Sequence, residues 1–290
     1  MKGETVLSCI VCKGNDVEKF WASLGYKLAR CRDCGMVWDP LPPESALSLY
    51  DKNYFINENP KGGYANYFEG MRINKKTFAD RLRKIEKELG RKGNLLDVGC
   101  ALGDCLLEAR KLGWKEAQGI EVADYAYKFA KRRGLRVRKG ELESLHFPNE
   151  SFDVVTYQDV MEHLKEPLSE LKNVYKILKP GGIIFIVTPD ISGLWSRLLG
   201  PLWYHYKPGE HLNYFSQKSI SFILRESGFK KITTSKTYHI LSLKYILNRL
   251  KYYYPSFFDF LLTLVVKTPL KDKPFKSYTG ELEAWGQKPM

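Results

Sequence analysis

The sequence lacks both a long apolar run and the start of an export signal. Its opening residues, MKGETVLSC, do not place a basic start before an apolar core, as a signal peptide does. The longest clean apolar runs fall well short of the roughly 20 residues that span a bilayer. Cysteine is sparse, with six in 290 residues, and without export a disulfide framework is not expected. These absences predict a soluble, cytoplasmic protein.

Acidic residues are the minority among the charged ones. Lysine and arginine number 46 against 33 acids, which gives a formal net charge of +13. Such an excess favours an anionic partner: a nucleic acid, acidic lipid head groups or a phosphorylated substrate. The densest basic stretch, KFAKRRGLRVRK at 128–139, is also typical of the solvated end of a helix. The net positive charge therefore favours an anionic partner but does not indicate which of these three kinds it is.

Four of the six cysteines form two closely spaced pairs near the amino terminus. Cys9 and Cys12 are one C-x2-C pair, Cys31 and Cys34 are the other, and 18 residues separate the pairs. Two such turns facing each other give the closed tetrahedral thiolate site of structural zinc. A segment of about 40 residues has little core of its own and depends on such a metal to fold. The spacing thus predicts a zinc ribbon over 1–40, with Zn²⁺ in a structural role.

Two further segments are expected after the ribbon. The proline-rich DPLPPES leads into a connector with an amphipathic helix, and together these occupy 41–90. Over 91–290, short apolar runs alternate with helical patterns, which indicates a parallel sheet covered by helices on both faces. Strands are predicted at 95–98, 117–120, 135–138, 152–157 and 181–188, and helices at 72–89, 103–112, 124–133, 167–178 and 217–227.

The first strand of this sheet runs into a glycine-containing turn, LLDVGCALGDCLL at 95–107. The turn after the first strand is the usual ligand site in such a sheet, and a dinucleotide requires three glycines there, as G-x-G-x-x-G. This turn has only Gly99 and Gly103, with Asp97 in the strand end. Glu121 ends the next strand, where a carboxylate can accept both ribose hydroxyls. A ligand with a ribose, no phosphate and a positive charge fits these groups, and S-adenosylmethionine is such a ligand.

Residues 94–188 resemble a class I S-adenosylmethionine-dependent methyltransferase, with the motifs in that family's order. LLDVGCALG resembles the first motif, GIEVAD the ribose-binding acid, and GELESLHFPNESFDVV the third-strand loop with the fourth strand. QDVMEHL and LKPGG are similar to the segments that follow the fourth strand and precede the fifth. The resemblance implies an α/β fold with a Rossmann-like seven-stranded sheet, whose last, antiparallel strand is supplied by ELEAWGQK.

The resemblance also implies which residues contact S-adenosylmethionine. They meet in turn the methionine end, the ribose, the adenine and the region near the methyl group. In that order they are Asp97, Gly99 and Gly103; Glu121; Glu141 and Leu142; and Gln158 and Asp159, and Cys100 and Val122 are also expected to contact the cofactor. Since all of these lie beyond the ribbon, removal of zinc is expected to unfold residues 1–38 and to leave cofactor binding largely intact.

Two of the five histidines fall on the side of the sheet where the chemistry must occur. His163 lies in MEHL after the fourth strand, and His211 follows Glu210 in KPGEHLNYFS after the fifth. A hydroxyl or carbon nucleophile needs a general base, and histidine is suited to that role. For either histidine, a structural hydrogen-bonding role is the open alternative.

The ribbon, the core and the EH…YFS segment together resemble sugar C-methyltransferases that act on nucleotide-linked deoxysugars. In that group the residues matching His163, Glu210 and His211 are candidates for the base that activates the sugar. The resemblance implies a sugar acceptor in a nucleotide-linked, polysaccharide or lipid-linked glycan, methylated by in-line transfer. The sequence leaves open whether oxygen, carbon or nitrogen is methylated.

Two segments of the last domain leave alternatives open. The aromatic loop 189–215 suits an enclosed pocket, and basic residues interrupt the apolar insert 240–267. Residues 241–267 are expected either to reach a lipid-linked substrate at the inner membrane surface or to pack as two helices over the site. RNA is the rival acceptor, because some rRNA methyltransferases also begin with a cysteine-rich zinc module and the surplus charge is basic. A non-catalytic binding module is disfavoured by the intact DVGCALG and MEH motifs.

Overall fold

The computed structural model describes residues 8–21, 27–42, 67–114, 116–207, 209–251 and 253–290. Elements are numbered in chain order. The strands are β1 Val17–Trp21, β2 Lys27–Cys31, β3 Val37–Trp38, β4 Leu95–Val98, β5 Ala117–Glu121, β6 Val137–Lys139, β7 Phe152–Gln158, β8 Leu178–Pro189, β9 Asn213–Tyr214, β10 Lys230–Lys236, β11 His239–Ser242, β12 Pro274–Ser277 and β13 Glu281–Gln287. The helices are α1 Tyr67–Leu89, α2 Asp104–Lys111, α3 Asp124–Arg132, α4 Pro167–Ile177, α5 Leu194–Leu199, α6 Gln217–Glu226, α7 Leu243–Leu250 and α8 Pro255–Val265.

Seven strands form the central sheet, in the order β10-β13-β8-β7-β4-β5-β6. Neighbouring strands from β8 to β6 in this order are parallel. The last strand in the chain, β13, runs antiparallel to both β8 and β10. The predicted α/β fold, with a Rossmann-like seven-stranded sheet and an antiparallel last strand, is confirmed.

Helices cover both faces of the sheet, which explains why its central strands read as continuous apolar runs. Successive side chains of a strand point to opposite faces, so β8 contributes to two separate core clusters. Ile184 and Ile186 pack with apolar residues of α4 and α6 on one face. Phe185 and Val187 pack with those of α1 and α2 on the other. The sequence pattern therefore predicted β7 and β8 correctly as buried strands.

Several element boundaries differ from the expected ones. Helix α1 begins at Tyr67 rather than 72, and β8 begins at Leu178, so LKPGG lies within the strand. Leu178 pairs with Phe152 of β7 ahead of an irregularity in the ladder, which explains why a proline-glycine sequence is tolerated there. The insert 240–267 starts in a strand that was not predicted, because β11 pairs with the distant β12.

The ribbon joins the rest of the protein through a shared four-stranded sheet, in the order β1-β2-β3-β9. Strand β9 comes from the aromatic loop, and its two residues pair with Val37 and Trp38. Next to this pairing, the backbone N–H of Asp39 donates to the carbonyl of Leu212 over 2.8 Å. The expected limits 1–40, 41–90 and 91–290 stay predictions, and most of the connector lies outside the described residues.

The insert after β10 folds mainly as the two helices α7 and α8, which contact each other. Helix α8 begins with Pro255, a favourable first residue for a helix, and none of its side chains is buried. Phe257, Phe260 and Leu264 are each at least half exposed. Within the described parts of the chain, no helix has the length and apolar character needed to cross a membrane.

Candidate active site

One large cavity lies at the carboxyl ends of the parallel strands, with a volume of about 1520 Å³. It extends from the turn after β4 to the insert helices. Pockets for a single small molecule usually measure about 300–1,000 Å³, so this one has room for two ligands side by side. Of the ten residues predicted to contact the cofactor, nine line this cavity, and Gly103 does not.

The turn after β4 can be this tight only with glycine. Gly99 and Gly103 adopt φ values of +67° and +84°, in the left-handed region that L side chains rarely enter. A Cβ atom at Gly99 would lie 2.5 Å from Val160, and one at Gly103 would lie 2.3 Å from Leu135. Because these two positions carry no side chain, the backbone packs closely against Val160 and Leu135, and space for a ligand remains beside Asp97.

Asp97 is buried at the floor of the cavity. The hydroxyl of Thr156 donates to its Oδ1 over 2.6 Å. Burial raises the pKa of Asp97 to about 6, although the hydrogen bonds from Thr156 and Gln158 act in the opposite direction. A buried carboxylate without a cationic partner is costly, so the site favours a ligand that brings a positive charge.

Glu121 closes β5 with its carboxylate fixed by the backbone. The N–H groups of Ala101 and Ala123 donate to Oε2 and Oε1, over 2.7 and 2.8 Å. Each oxygen keeps capacity for a second donor, which fits two neighbouring ribose hydroxyls. Burial raises the pKa of Glu121 above its usual value.

The residues near the expected adenine differ in exposure. Leu142 is buried and Glu141 is exposed, and both line the cavity. Cys100 and Val122 also line the cavity. These groups, together with Asp97 and Glu121, fit the apolar, polar and cationic parts of S-adenosylmethionine.

A network from three distant elements surrounds Gln158 and was not predicted. Arg81 of α1 donates to Gln158 Oε1 over 3.1 Å, and its other Nη lies 3.2 Å from Nε2 of His239. His239 in turn contacts Glu281 of β13. Burial favours a neutral Glu281, but the neighbouring His239 outweighs it and lowers the pKa of Glu281 to about 2. The only sequence signal was the presence of polar residues inside otherwise apolar segments.

Asp159 lies between this network and the cofactor end. It has φ of +57°, a strained conformation for a residue other than glycine. Burial raises the pKa of Asp159 to about 7, and the charge of Glu281 acts in the same direction. Such strain is typical of functional positions, and Asp159 also lines the cavity.

The expected catalytic residues meet at the other end of the cavity. The rings of His163 and His211 are in edge contact, with centroids 4.9 Å apart. His163 Nδ1 donates to the backbone carbonyl of Glu210 over 2.8 Å, and the Glu210 carboxylate accepts from Lys207 over 3.2 Å. Glu162, which was not predicted, lies beside them with its Oε1 4.0 Å from His163 Nε2.

Burial dominates the electrostatics of this histidine pair. It lowers the pKa of His163 to about 4 and that of His211 well below the usual 6.5. Both rings are therefore neutral near pH 7 and present lone pairs rather than positive charge. Their role as a general base stays a prediction.

Cations and an aromatic ring line the wall next to the insert. Arg249 of α7 donates to the hydroxyl of Tyr204 over 2.9 Å, and Lys207 Nζ lies 5.1 Å from the centre of the same ring. Burial disfavours the charge on Lys207, but Tyr204 and Glu210 outweigh it and raise its pKa. The wall is thus suited to a ligand with an anionic group and a flat or apolar face.

The four ribbon cysteines lie together, far along the chain from the cavity residues. Cys9 and Cys34 have their sulfur atoms 3.5 Å apart, as do Cys12 and Cys31. In a tetrahedral site with Zn–S bonds of about 2.3 Å, the sulfurs are about 3.8 Å apart. The arrangement therefore fits the predicted structural zinc.

Cofactor affinity is expected to fall in mild acid because of Asp97. Below about pH 6 this carboxyl is protonated in the free protein, whereas a cationic ligand favours the ionised form. Affinity should fall about tenfold between pH 7 and pH 5, as expected for one proton. Calorimetric titration of S-adenosylmethionine at both pH values tests this. In Asp97→Asn, binding should be weaker and nearly independent of pH; an unchanged slope would assign the titration to another group.

Comparison with known proteins adds a family match. A family model described as a methyltransferase domain matches residues 69–234, more than half of the chain. The chain is 31% identical over 115 residues to the ubiquinone biosynthesis O-methyltransferase of Coxiella burnetii, covering 37% of this chain and 49% of that enzyme. It is 22% identical over 205 residues to the demethylmenaquinone methyltransferase of Chlorobaculum parvum, covering 62% and 84%. It thus spans about half of the first enzyme and most of the second.

Among solved structures, the phosphoethanolamine N-methyltransferase 2 of Haemonchus contortus, in complex with S-adenosylhomocysteine, matches with a TM-score of 0.54. The match covers 88% of this chain and 64% of that one, at 17% sequence identity. At this identity, the likeness shows the fold alone. None of the three comparisons names a sugar acceptor.

Proposed function

The chain belongs to the methyltransferase-domain family and is an S-adenosylmethionine-dependent methyltransferase; on this premise we propose that it methylates a hydroxyl group of a lipid-linked sugar. The continuity of the cavity carries this proposal. The cavity runs from Asp97 and Glu121 at the cofactor end to Arg249 and Tyr254 beside the insert helices. A polar reaction site and an apolar approach to it thus share one space.

The cofactor end fits its ligand through residues of this chain. When bound, S-adenosylmethionine supplies a methyl group on a positively charged sulfur. Asp97 would hold the cationic methionine end, and Glu121 would hold the ribose. The turn at Gly99 would let the backbone approach the cofactor closely. Such positioning is the main contribution expected of the protein, and it is worth up to ~7–11 kcal/mol in favourable intramolecular systems.

The acceptor end supports a sugar next to a phosphate. Lys207 and Arg249, which both lie over the ring of Tyr204, provide charge for a phosphate, and the aromatic ring between them offers an apolar contact to the sugar. Glu162, His163 and His211 line the same cavity, and in this proposal they activate the acceptor hydroxyl.

The outer surface near the cavity mouth supports contact with a membrane. Helix α8 places Phe258 in the cavity wall and exposes Phe257 and Phe260. Lys267 and Lys273 are exposed in the segment that follows. Exposed aromatic residues beside lysines are typical of surfaces that insert into an anionic lipid interface. An acceptor held in the bilayer could then enter the cavity from its apolar side.

The ribbon completes the proposal in a structural role. We infer that Cys9, Cys12, Cys31 and Cys34 bind one Zn²⁺ ion, which leaves no open position for a substrate. The relatives named for ubiquinone biosynthesis and demethylmenaquinone support a small-molecule acceptor but not a sugar. The sugar is proposed because of the chemistry of the cavity wall next to the insert, which contains Tyr204, Lys207 and Arg249.

The proposal is tested by methyl transfer into a lipid extract of the source cell, reconstituted in anionic vesicles. With radiolabelled cofactor, we expect label in a lipid fraction that mild acid converts to a methylated sugar. The double variant Phe257→Ser/Phe260→Ser should transfer at least tenfold less label, because each phenylalanine contributes about 1.5–3 kcal/mol when fully buried.

A matched control is Leu41→Ser, which removes an exposed apolar side chain at the start of the connector instead. Both proteins should bind the cofactor as the wild type does. Label found only in water-soluble sugars would support a sugar acceptor and contradict its attachment to a lipid. Label in nuclease-sensitive material, with binding that weakens steeply as salt rises, would replace the proposal by RNA methylation.

A further inference from the structure

Three side chains of the type that binds metals meet at the acceptor end of the cavity. We propose that Glu162, His163 and His211 bind one divalent transition-metal ion, which activates the acceptor hydroxyl. The chemistry of this inference rests on the proposed O-methyl transfer, whereas its geometry does not. The site is separate from the four-cysteine cluster of the ribbon.

The donor atoms of the three side chains are already close. They all lie within 4.8 Å of one another, and Glu162 Oε1 is 4.0 Å from His163 Nε2. Ligands about 2.1 Å from one ion lie roughly 3.0–3.4 Å apart in octahedral or tetrahedral sites. The donors therefore need to approach one another by about 0.6–1.8 Å, which side-chain rotations allow.

Second contacts hold the side chains of all three residues in place. Thr188 donates to Glu162 Oε2 over 2.9 Å. His163 Nδ1 carries its proton toward the Glu210 carbonyl, which assigns the lone pair to Nε2. The ring of His211 is held by contacts with the rings of His205 and Tyr214. Metal-binding histidines and carboxylates are typically oriented by outer contacts of this kind.

A buried atom without a partner points independently to a ligand. His211 is only 4% exposed, and its Nδ1 has no hydrogen-bond partner among the described residues. Buried polar side-chain atoms are normally satisfied. A metal ion between His211, His163 and Glu162 would satisfy this nitrogen and neutralise the buried carboxylate as well.

The donor set indicates which ions fit. Two imidazoles and one carboxylate suit Fe²⁺, Mn²⁺, Co²⁺ or Zn²⁺, whereas Mg²⁺ and Ca²⁺ prefer oxygen ligands alone. Three protein ligands leave positions open toward the cavity, and adjacent hydroxyls of a sugar could occupy two of them. The acceptor O–H proton then passes to water in the cavity. The oxygen–methyl bond forms as the methyl–sulfur bond breaks, and nothing is oxidised or reduced.

Manganese is the most selective probe, because thiolate sites such as the ribbon disfavour it. The full-length protein with zinc in its ribbon is titrated with Mn²⁺ alone, and free Mn²⁺ is measured by electron paramagnetic resonance. We expect one bound ion per chain. His211→Ala and Glu162→Gln should each raise the Kd at least about 100-fold, more than loss of an outer contact usually does.

Two variants distinguish loss of metal binding from loss of folding. Glu162→Gln preserves side-chain size and an acceptor for Thr188, and its circular dichroism spectrum should match that of the wild type. His146→Ala removes a histidine that lies outside the cavity and should leave Mn²⁺ affinity unchanged. Equal affinity in the wild type, His211→Ala and Glu162→Gln would overturn the site. So would the absence of bound Mn²⁺ and of any Zn²⁺ or Co²⁺ beyond one ion per ribbon.

The outcomes for the metal and for the acceptor are distinguishable. Mn²⁺ binding is measured without an acceptor, so a site that binds as expected stands even if no lipid-linked sugar is methylated. If an acceptor is found, transfer should rise in parallel with Mn²⁺ occupancy. Full transfer by protein shown to be free of metal at this cluster would overturn the activating role.

Discussion

Loss of the ribbon's metal site is expected to abolish methyl transfer while changing the cofactor Kd less than about threefold. A structural zinc ion contributes about 10–16 kcal/mol to the folding of a small domain, so Cys34→Ser should unfold the ribbon. Strand β3 would then no longer pair with β9, and Asp39 would no longer bind the Leu212 carbonyl. Because His211 directly precedes Leu212, the acceptor end should lose its geometry.

The hydrogen bonds that hold the cofactor end involve other parts of the described chain. Asp97 and Glu121 are held by Thr156 and by the backbone of Ala101 and Ala123, none of which belongs to the ribbon. The sequence predicted that cofactor binding would survive zinc removal, and the structure adds the expected loss of turnover.

The measurement uses Cys34→Ser rather than a chelator, since a chelator would also remove an ion from the Glu162 cluster. Zinc content, calorimetric cofactor binding and turnover are compared with those of the wild type. Cys105→Ser is the control for zinc content. This buried cysteine accepts a hydrogen bond from Gln158 and is not one of the four ribbon cysteines, so its replacement should leave the zinc content unchanged. Normal turnover in a zinc-free Cys34→Ser protein would contradict the expectation, as would a cofactor Kd that rises in parallel.

Local patterns predicted those parts of the fold that depend on local interactions. Strand β4 and the turn after it carry their own signals: three apolar residues, an acid and two glycines with positive φ. Helix α6 was predicted at 217–227, and the structure shows a capping box between Ser216 and Ser219 at its start. In each case the determining contacts lie within a few residues of one another.

The remaining features depend on contacts between distant segments. Strands β3 and β9 have two residues each, too few to show a periodic pattern. Arg81 meets His239 across 158 positions of the chain, and no spacing rule brings them together. Glu162 stood beside the predicted His163, but only the fold shows that it faces His211. The sequence thus predicted the cofactor end of the cavity better than the acceptor end. One motif region supplies the cofactor end, whereas several loops assemble the acceptor end.

The cofactor end allows an equally large expected effect, from Glu121→Gln. A hydrogen bond to a charged group contributes about 1.5–3 kcal/mol, so loss of the charge beneath two ribose hydroxyls should weaken S-adenosylmethionine about 10²–10⁴-fold. The amide also brings an N–H₂ group toward the N–H of Ala101 or Ala123, both of which now donate to the carboxylate. One of these donors must lose its partner, and the turn should loosen.

Calorimetric titration of the variant and the wild type measures the difference directly. Glu141→Gln is the matched control: it lines the same cavity but is exposed, so its Kd should change less than about fivefold, as expected for a solvated group. Burial raises the pKa of Glu121, so removing this charge should not destabilise the fold through lost ionisation, and thermal unfolding of the free variant checks that. A change below tenfold in Glu121→Gln would mean that the ribose is held elsewhere, and the assignment of the whole cofactor end, including Asp97, would then have to be revised.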